Sequence, residues 1–331
     1  MTTFKRKSVQ FYRLSPSLLL VITVIFPLKL FAVEQSIQQA QQLSIFNSID
    51  APRDYLSEKI IGFATNIDRF FGGDRYFQEN NQSVVQLDLT RATGYGGDSK
   101  FNFSARANLR LPATEGRLHI LLESDPEKNI TSETAKGQSI INNKVTAPSS
   151  LALAARYEKA VENVWHLSSD AGLKFPLPVH PFVRTRGSFS APIGLWRMKA
   201  EESVYWFNSI GVGETTQVDF ERALSEPVLF RATSNATWLN DKQNFDLRQD
   251  LSIYHNLNDN SALLYQASAI GVSNPQYQLS EYVALLLYRH KLHRDWMFFE
   301  LSPQLHFPKI NNFRSSPAVT MRLEMLFDGS R

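Results

Sequence analysis

Charged residues at alternate positions are the part of this sequence with the clearest capacity for chemistry. Arg106 and Arg110 alternate with apolar residues in one run, and Arg322 and Glu324 do the same near the C-terminus. Guanidinium and carboxylate groups attract ions and polar solutes where water reaches them, and they pair with each other where it does not. The sequence therefore predicts one continuous face that carries charges of both signs.

Both signs recur on this face in nearly equal number, so we expect ion pairs between neighbouring segments rather than a ring of one sign. Two interpretations of the interior stay open: a narrow polar channel, or a plug of salt-bridged side chains. The charges expected to line this interior are Arg106, Arg110, Arg117, Arg156, Arg184, Arg186, Arg197, Lys199, Asp219, Glu221, Arg231, Arg248, Glu300, Arg322 and Glu324.

Four basic residues on two neighbouring segments could form a local wall that attracts anions. These residues are Arg184, Arg186, Arg197 and Lys199. The opposing interpretation, which we favour, is that acidic residues on adjacent segments neutralise the wall. The acidic residues that would do so are Asp170, Glu201 and Asp219.

Enzymatic residues are not evident. His119, His166 and His306 alternate onto the charged face, but no serine lies at a spacing that suggests a nucleophile and base. The chain has no cysteine, which excludes a thiol nucleophile and a thiolate metal site. His290 and His293 could share a metal, but their segment is more typical of a solvated turn. We therefore predict no catalytic residue, no metal and no cofactor.

The elements that position these charges are β-strands, because a period of two sends successive side chains to opposite faces of a sheet. From Ser83 onward this period predicts 14 strands, or 12 if a weak pair around 211–221 merges. The predicted strands are Ser83–Ala92, Phe101–Leu111, Arg117–Ser124, Ser150–Glu158, Trp165–Phe175, Phe182–Ala191, Leu195–Trp206, Ile210–Arg222, Val228–Trp238, Phe245–His255, Ala262–Val272, Gln278–Arg289, Trp296–Phe307 and Pro317–Phe327.

A transmembrane antiparallel up-and-down β-barrel accounts for strands with one charged and one apolar face. A soluble core could not hold so many charges, because an unpaired buried ion costs several kcal/mol. The mean hydropathy of −0.25 excludes a polytopic helical membrane protein. We expect the last strand, 317–327, to pair with the first, 83–92, and close the barrel.

Tryptophan provides an independent indication of membrane interfaces. All five tryptophans lie near predicted strand ends, where amphipathic rings gather at the two surfaces of a bilayer. A soluble β-sandwich would instead concentrate tryptophan in mid-strand. These interface residues are Trp165, Trp196, Trp206, Trp238 and Trp296.

Two segments precede the barrel, which we place at residues 83–331. Residues 1–32 have the basic start and short apolar run of a secretory signal peptide, with an uncleaved anchor as the alternative. Residues 33–82 contain an apolar stripe at helical spacing that ends at Gly72 and Gly73, which predicts a short periplasmic helix. We favour its placement on the barrel rim over insertion into the lumen as a plug.

The net charge of +3, from 35 basic and 32 acidic residues, argues against a nucleic-acid-binding protein. Such proteins carry a strongly basic patch or stripe. We expect no nucleic-acid partner.

The C-terminal strand resembles the recognition signal of Gram-negative outer-membrane β-barrels. Its apolar positions are Met321, Leu323, Met325 and Phe327. The resemblance implies a bacterial outer-membrane location, contact with outer-membrane lipid and lipopolysaccharide, and recognition by the barrel-assembly machinery. The tail 328–331 departs from the pattern, since many members end on the aromatic residue. Residues 288–300 and 70–73 also resemble an uncharacterised group of proteobacterial proteins, which implies no known activity.

The function predicted from these features is a pore or passive transporter for small polar solutes, and we expect the protein to be a monomer. The alternative is a structural or envelope-interaction barrel with a closed lumen. A membrane-embedded lipid-modifying enzyme is a third hypothesis, and a soluble periplasmic β-protein is a fourth.

Overall fold

The computed structural model describes residues 66–71, 77, 83–94, 97–111, 114, 117–127, 150–161, 164–175, 178–293 and 296–328. The predicted signal peptide and most of the segment 33–82 lie outside the described residues. None of the helices in the described part has the length and apolar run that a membrane crossing requires.

Fourteen strands follow one another along the chain, as the alternating pattern predicts. They are β1 (Val84–Gly94), β2 (Gly97–Arg110), β3 (Leu118–Ser124), β4 (Leu151–Val161), β5 (Trp165–Phe175), β6 (His180–Ile193), β7 (Trp196–Phe207), β8 (Gly211–Ser225), β9 (Val228–Leu239), β10 (Asn244–Asn258), β11 (Ser261–Val272), β12 (Gln278–His293), β13 (Met297–Pro308) and β14 (Ser316–Asp328). A short 3₁₀ helix, Lys309–Asn311, lies between the last two.

Each strand pairs antiparallel with its neighbours in sequence, and β1 pairs with β14, so the sheet is a closed barrel. Leu89 faces Leu323 and Val85 faces Phe327 across the closing seam, which confirms the predicted pairing of first and last strands. The segment 211–221 belongs to a full strand, β8, so the alternative of 12 strands is wrong. Fourteen strands tilted by roughly 40° enclose a backbone cylinder about 28 Å wide.

The outward face of the barrel is largely apolar, as expected for strands that contact lipid. Large exposed apolar side chains recur at alternate positions on every part of the sheet, and the C-terminal strand contributes Val319, Met321 and Phe327 to this surface. Arg322 and Glu324, between them, are largely covered on the other face. The closed, outwardly apolar sheet is therefore a membrane-spanning barrel.

Strand β12 extends further than the sequence suggests. Its hydrogen-bonded ladder continues beyond Arg289 to His293, so His290 lies in a strand and not in a solvated turn. The cause is cross-strand pairing: His290 faces Phe299 of β13 and Ser261 of β11. Sheet pairing has overridden the polar composition that indicated a turn.

The described N-terminal residues 66–71 form a short helix that packs on inward-facing side chains of the barrel. Ile67 is fully buried against Leu229 of β9, and Phe71 meets Tyr254 of β10 edge to face. Phe70 meets Phe298 of β13 in the same way. Because these partners face the lumen, the favoured rim placement is wrong for residues 66–71. Inward apolar side chains at this end of the barrel give the helix stripe an apolar surface inside the lumen.

Candidate functional site in the barrel lumen

The structure places the predicted interior charges on the inward side of their strands. Most are buried, with Arg156, Glu221 and Glu324 fully so. Arg110 and Arg117 are exposed at the ends of β2 and β3. The interior charges divide into paired groups that occupy different sectors of the wall.

One group, which we call the β3–β6 network, joins four neighbouring strands. Asp170 accepts hydrogen bonds from Arg156 at 2.6 Å and from Arg184 at 2.8 Å. Arg184 also contacts Glu123 at 3.3 Å, and Arg156 contacts Glu158 at 3.5 Å. Arg184 is 1 % exposed and Asp170 is 2 % exposed. Two guanidinium groups therefore share one carboxylate in a sector that water scarcely reaches.

A second group, the seam network, lies where the barrel closes. Arg289 binds Glu300 at 2.5 Å and also pairs with Glu324. Arg322 donates to Glu300 at 2.7 Å and 2.8 Å, and Asp88 lies 4.0 Å away. The inward charges of β14 thus join β1, β12 and β13 across the closure.

A third group holds the N-terminal helix. Glu221 accepts a hydrogen bond from Arg197 at 2.8 Å and forms an ion pair with Arg231 at 2.7 Å. Arg231 also donates to Asp68 of the helix at 2.6 Å. Its guanidinium stacks over Tyr254 at 4.9 Å. Arg231 is therefore shared between the barrel wall and the segment inside the barrel.

The three arginines of the basic cluster on β6 and β7 are neutralised, which argues against an open anion wall. Arg184 pairs with Asp170, and Arg186 contacts Glu201 at 3.0 Å. Arg197 pairs with an acid that the sequence did not single out for it, Glu221. The carboxylates lie on adjacent strands, as the neutralising interpretation requires.

One sector of the wall is more open, and we call it the polar strip. It consists of Glu201, Gln217, Asn235 and Arg248, which are successive cross-strand partners on β7, β8, β9 and β10. All four are partly exposed, Glu201 by 23 %. The strip contains two neutral amides, and Asn235 donates to Gln217 over a long 3.5 Å. Gln217 also donates to Asp219 at 3.0 Å, so the strip is held by contacts to its neighbours, and water reaches polar groups that are only loosely engaged with each other.

Aromatic side chains face the lumen at the end opposite the helix. Phe182 stacks on Phe207 at 5.0 Å, and Tyr205 meets Phe207 edge to face at 5.8 Å. Tyr205 lies flat over Gly213, where any Cβ would overlap the ring. Leu121 completes a buried apolar cluster. Sequence reasoning missed this cluster, although Trp206 on the lipid side required residues 205 and 207 to face inward.

The interior histidines contact carboxylates. His306 lies 2.7 Å from Glu281, and His119 lies 3.5 Å from Glu158. His166 is 3.7 Å from the same Glu158. The three histidines therefore belong to the part of the lumen wall where polar side chains contact each other.

The structure does bring a serine and a histidine together, contrary to the expectation from spacing. Ser261 Oγ lies 2.8 Å from Nδ1 of His290 across β11 and β12. Tyr288 stacks on the imidazole and contacts the same hydroxyl at 3.3 Å. Cross-strand neighbours are distant in sequence, so linear spacing could not reveal this pair.

The tryptophans lie at strand ends. Trp165 and Trp196 begin β5 and β7, while Trp206 and Trp238 come one residue before the ends of β7 and β9. Trp296 immediately precedes β13 and stacks on Phe327 at 5.3 Å. This last contact covers the aromatic residue that closes the C-terminal strand.

No protein-family model matches the chain, and no curated protein is significantly similar to it in sequence. Solved outer-membrane barrels are similar in structure. OprB of Pseudomonas putida is 10% identical over 78% of this chain and 97% of its own, with a TM-score of 0.44. The outer membrane channel DcaP of Acinetobacter baumannii is 10% identical over 74% and 96%, with a TM-score of 0.41. OmpT of Vibrio cholerae is 10% identical over 74% and 97%, with a TM-score of 0.44. At such values, function rests on this chain's own residues.

Proposed function

We propose that the protein is an outer-membrane pore or passive transporter for small polar solutes, and that the polar strip lines the path. The observation that carries the proposal is the partial exposure of Glu201, Gln217, Asn235 and Arg248 inside a closed barrel. Loosely engaged amides can exchange hydrogen bonds with a passing solute at little cost, whereas doubly paired charges cannot. Most of the buried inward charges lie in ion pairs, so we expect weak selectivity for ionic sign.

The location and partners are part of the proposal. The terminal residues Met321, Leu323, Met325 and Phe327 would serve as the signal read by the barrel-assembly machinery of a Gram-negative bacterium. Trp165, Trp196, Trp206, Trp238 and Trp296 would sit at the two surfaces of the outer membrane. The surrounding molecules would be outer-membrane lipid and lipopolysaccharide.

A closed structural barrel is the alternative, and the two sealed networks and the inserted helix favour it. Conductance of the refolded full chain in planar bilayers separates the two. The proposal predicts discrete open-channel steps that fall by about half or more in Asn235→Trp, because the indole would occupy the narrow space that the inward side chains leave open within a backbone cylinder about 28 Å wide. The matched control is Ala236→Trp, whose side chain points to lipid from the same strand. A silent bilayer, or equal loss in both variants, would contradict a path along the strip.

The pair Ser261 and His290 provides the specific observation for a lipid-modifying enzyme. The hydroxyl is within hydrogen-bonding distance of a base, as nucleophilic catalysis requires. Among the described residues, however, no carboxylate hydrogen-bonds this imidazole to orient it. We expect no phospholipid hydrolysis by the refolded protein. Hydrolysis that is abolished in Ser261→Ala, with heat-modifiable gel mobility unchanged, would establish the enzymatic alternative instead.

A further inference from the structure

The outward face of β7–β10 carries polar side chains in mid-strand, and this polar region continues onto β5 and β6, where Ser169 and Thr185 lie 3.2 Å apart. Thr216 donates a hydrogen bond to Glu202 at 2.6 Å, and Ser234 donates to Gln249 at 2.5 Å. We call these four residues the outer belt. Outward positions in the middle of other strands hold large apolar residues, among them Leu89, Phe103, Leu153, Leu286 and Met321.

Glu202 lies deep in the apolar band of the membrane. It is on the same outward face of β7 as Trp196 and Trp206, which lie at the two ends of the strand. With a rise of about 3.3 Å per residue and a tilt near 40°, its carboxyl is roughly 15 Å from the level of one ring and 10 Å from the other. Both rings mark membrane interfaces if they follow the usual distribution of tryptophan in barrels.

Hydrocarbon offers the outer belt no hydrogen-bond partners. Among the described residues, the only side chain that hydrogen-bonds the carboxyl of Glu202 is Thr216, and no cation pairs with it. One hydroxyl cannot satisfy both carboxyl oxygens. A polar residue held inside a membrane indicates a functional contact, and that contact must bring polar groups of its own to this depth.

The surface around the belt is low and concave, so a second protein can approach it closely. Gly187 is the cross-strand neighbour of Glu202 on β6, and a Cβ added to it would meet only a Leu167 methyl at 3.9 Å. Ala200 and Ala236 are the next small outward residues. A depression of about 580 Å³ lies beside Ala236, and its lining includes three belt residues, Thr216, Ser234 and Gln249. Small residues at a membrane interface permit close backbone contact.

A second copy of this chain fits the belt, because carboxyl, hydroxyl and amide groups on one surface can hydrogen-bond the same groups on another. A closed oligomer in a membrane has its axis along the bilayer normal, so each residue meets its partner copy at its own depth. The belt lies on four successive strands and therefore faces the same belt when two copies meet. We propose that the outer belt is an interface between copies of this chain, formed by carboxyl, hydroxyl and amide groups that complement each other at one depth. This replaces the expectation of a monomer and does not depend on whether the lumen conducts.

The first test is the oligomeric state of the folded full chain, measured by sedimentation equilibrium in detergent micelles. The wild type should associate beyond a monomer. Glu202→Leu should weaken its association constant about tenfold, since it removes about one interface hydrogen bond per copy. Leu89→Ala, an outward change on β1 on the opposite side of the barrel, should leave association unchanged. If Glu202→Leu does not show the heat-modifiable gel mobility of a folded barrel, Thr216→Val is the second variant.

The second test uses the absence of natural cysteine. Ala200→Cys and Ala236→Cys, each alone and mixed in lipid vesicles, should give covalent dimers under mild oxidation. The outward control Ala155→Cys on β4 should not. A monomeric wild type at every concentration would overturn the proposal. Equal cross-linking at all three positions, or a monomer that retains bound lipid at the belt, would overturn it as well.

Discussion

The inner wall at the β3–β6 network and the inner wall at the polar strip of β7–β10 follow the same alternating pattern, yet they differ in how much water reaches them. In the first wall, Asp170 is shared by Arg156 and Arg184 and is almost inaccessible. In the second, Gln217 and Asn235 are partly exposed and barely touch. The difference shows that inward polarity alone does not make a path. Doubly paired charges fix the wall, and loosely bound amides leave room for a solute.

The largest expected effect comes from breaking the sealed wall. Asp170→Asn removes the charge that both arginines share and should lower the free energy of unfolding by about 3–5 kcal/mol, because two buried cations lose their common partner. The measurement is reversible urea unfolding in lipid vesicles. Gln217→Ala on the polar strip is the matched control and should cost less than about 1 kcal/mol. Equal costs in the two variants would remove the distinction between the walls.

An intermediate effect is expected at the N-terminal helix. Asp68→Ala should weaken docking of the helix by about 1–3 kcal/mol, since one hydrogen-bonded charge pair with Arg231 is lost. We expect higher conductance, because the helix residues lie inside the lumen. Asn66→Ala, an exposed neighbour on the same helix, is the control. Unchanged conductance in Asp68→Ala would show that the helix does not limit flow.

The smallest effect is expected on ionic preference. Arg248→Gln removes one positive charge from the polar strip, while Asp250, at 2.8 Å, loses its partner. The cation-to-anion permeability ratio should rise by less than about twofold, because mobile ions screen charge beyond about 8 Å at physiological salt. Reversal potentials across a salt gradient provide the measurement. A larger change would mean that Arg248 controls selectivity by itself.

Most of the barrel could be predicted from the sequence, because alternation records the two faces of each strand directly. The closing pair of β1 and β14 and the inward direction of Arg322 and Glu324 both follow from it. The pairing partners do not, since the cross-strand register depends on the whole sheet. Thus Arg197 pairs with Glu221, and Ser261 meets His290, without any local signal.

The position of the N-terminal helix could not be predicted from the sequence for a different reason. Its apolar stripe can pack on any apolar surface. Because most inward positions are polar, the sequence did not indicate an apolar surface inside the lumen. Phe298 and Leu229 supply that surface at the end of the barrel near the chain termini. An apolar residue on a polar face predicts a packing contact, just as a polar residue on an apolar face predicts a polar contact.

The most direct test of the polar strip as the path is accessibility to a charged, membrane-impermeant thiol reagent, because the chain has no natural cysteine. Asn235→Cys should react rapidly, and each modification should block current in a discrete step. Ala236→Cys, which faces lipid from the same strand, should react slowly and leave the current unchanged. Modification of Asn235→Cys without any change in current, or no modification at all, would contradict the account.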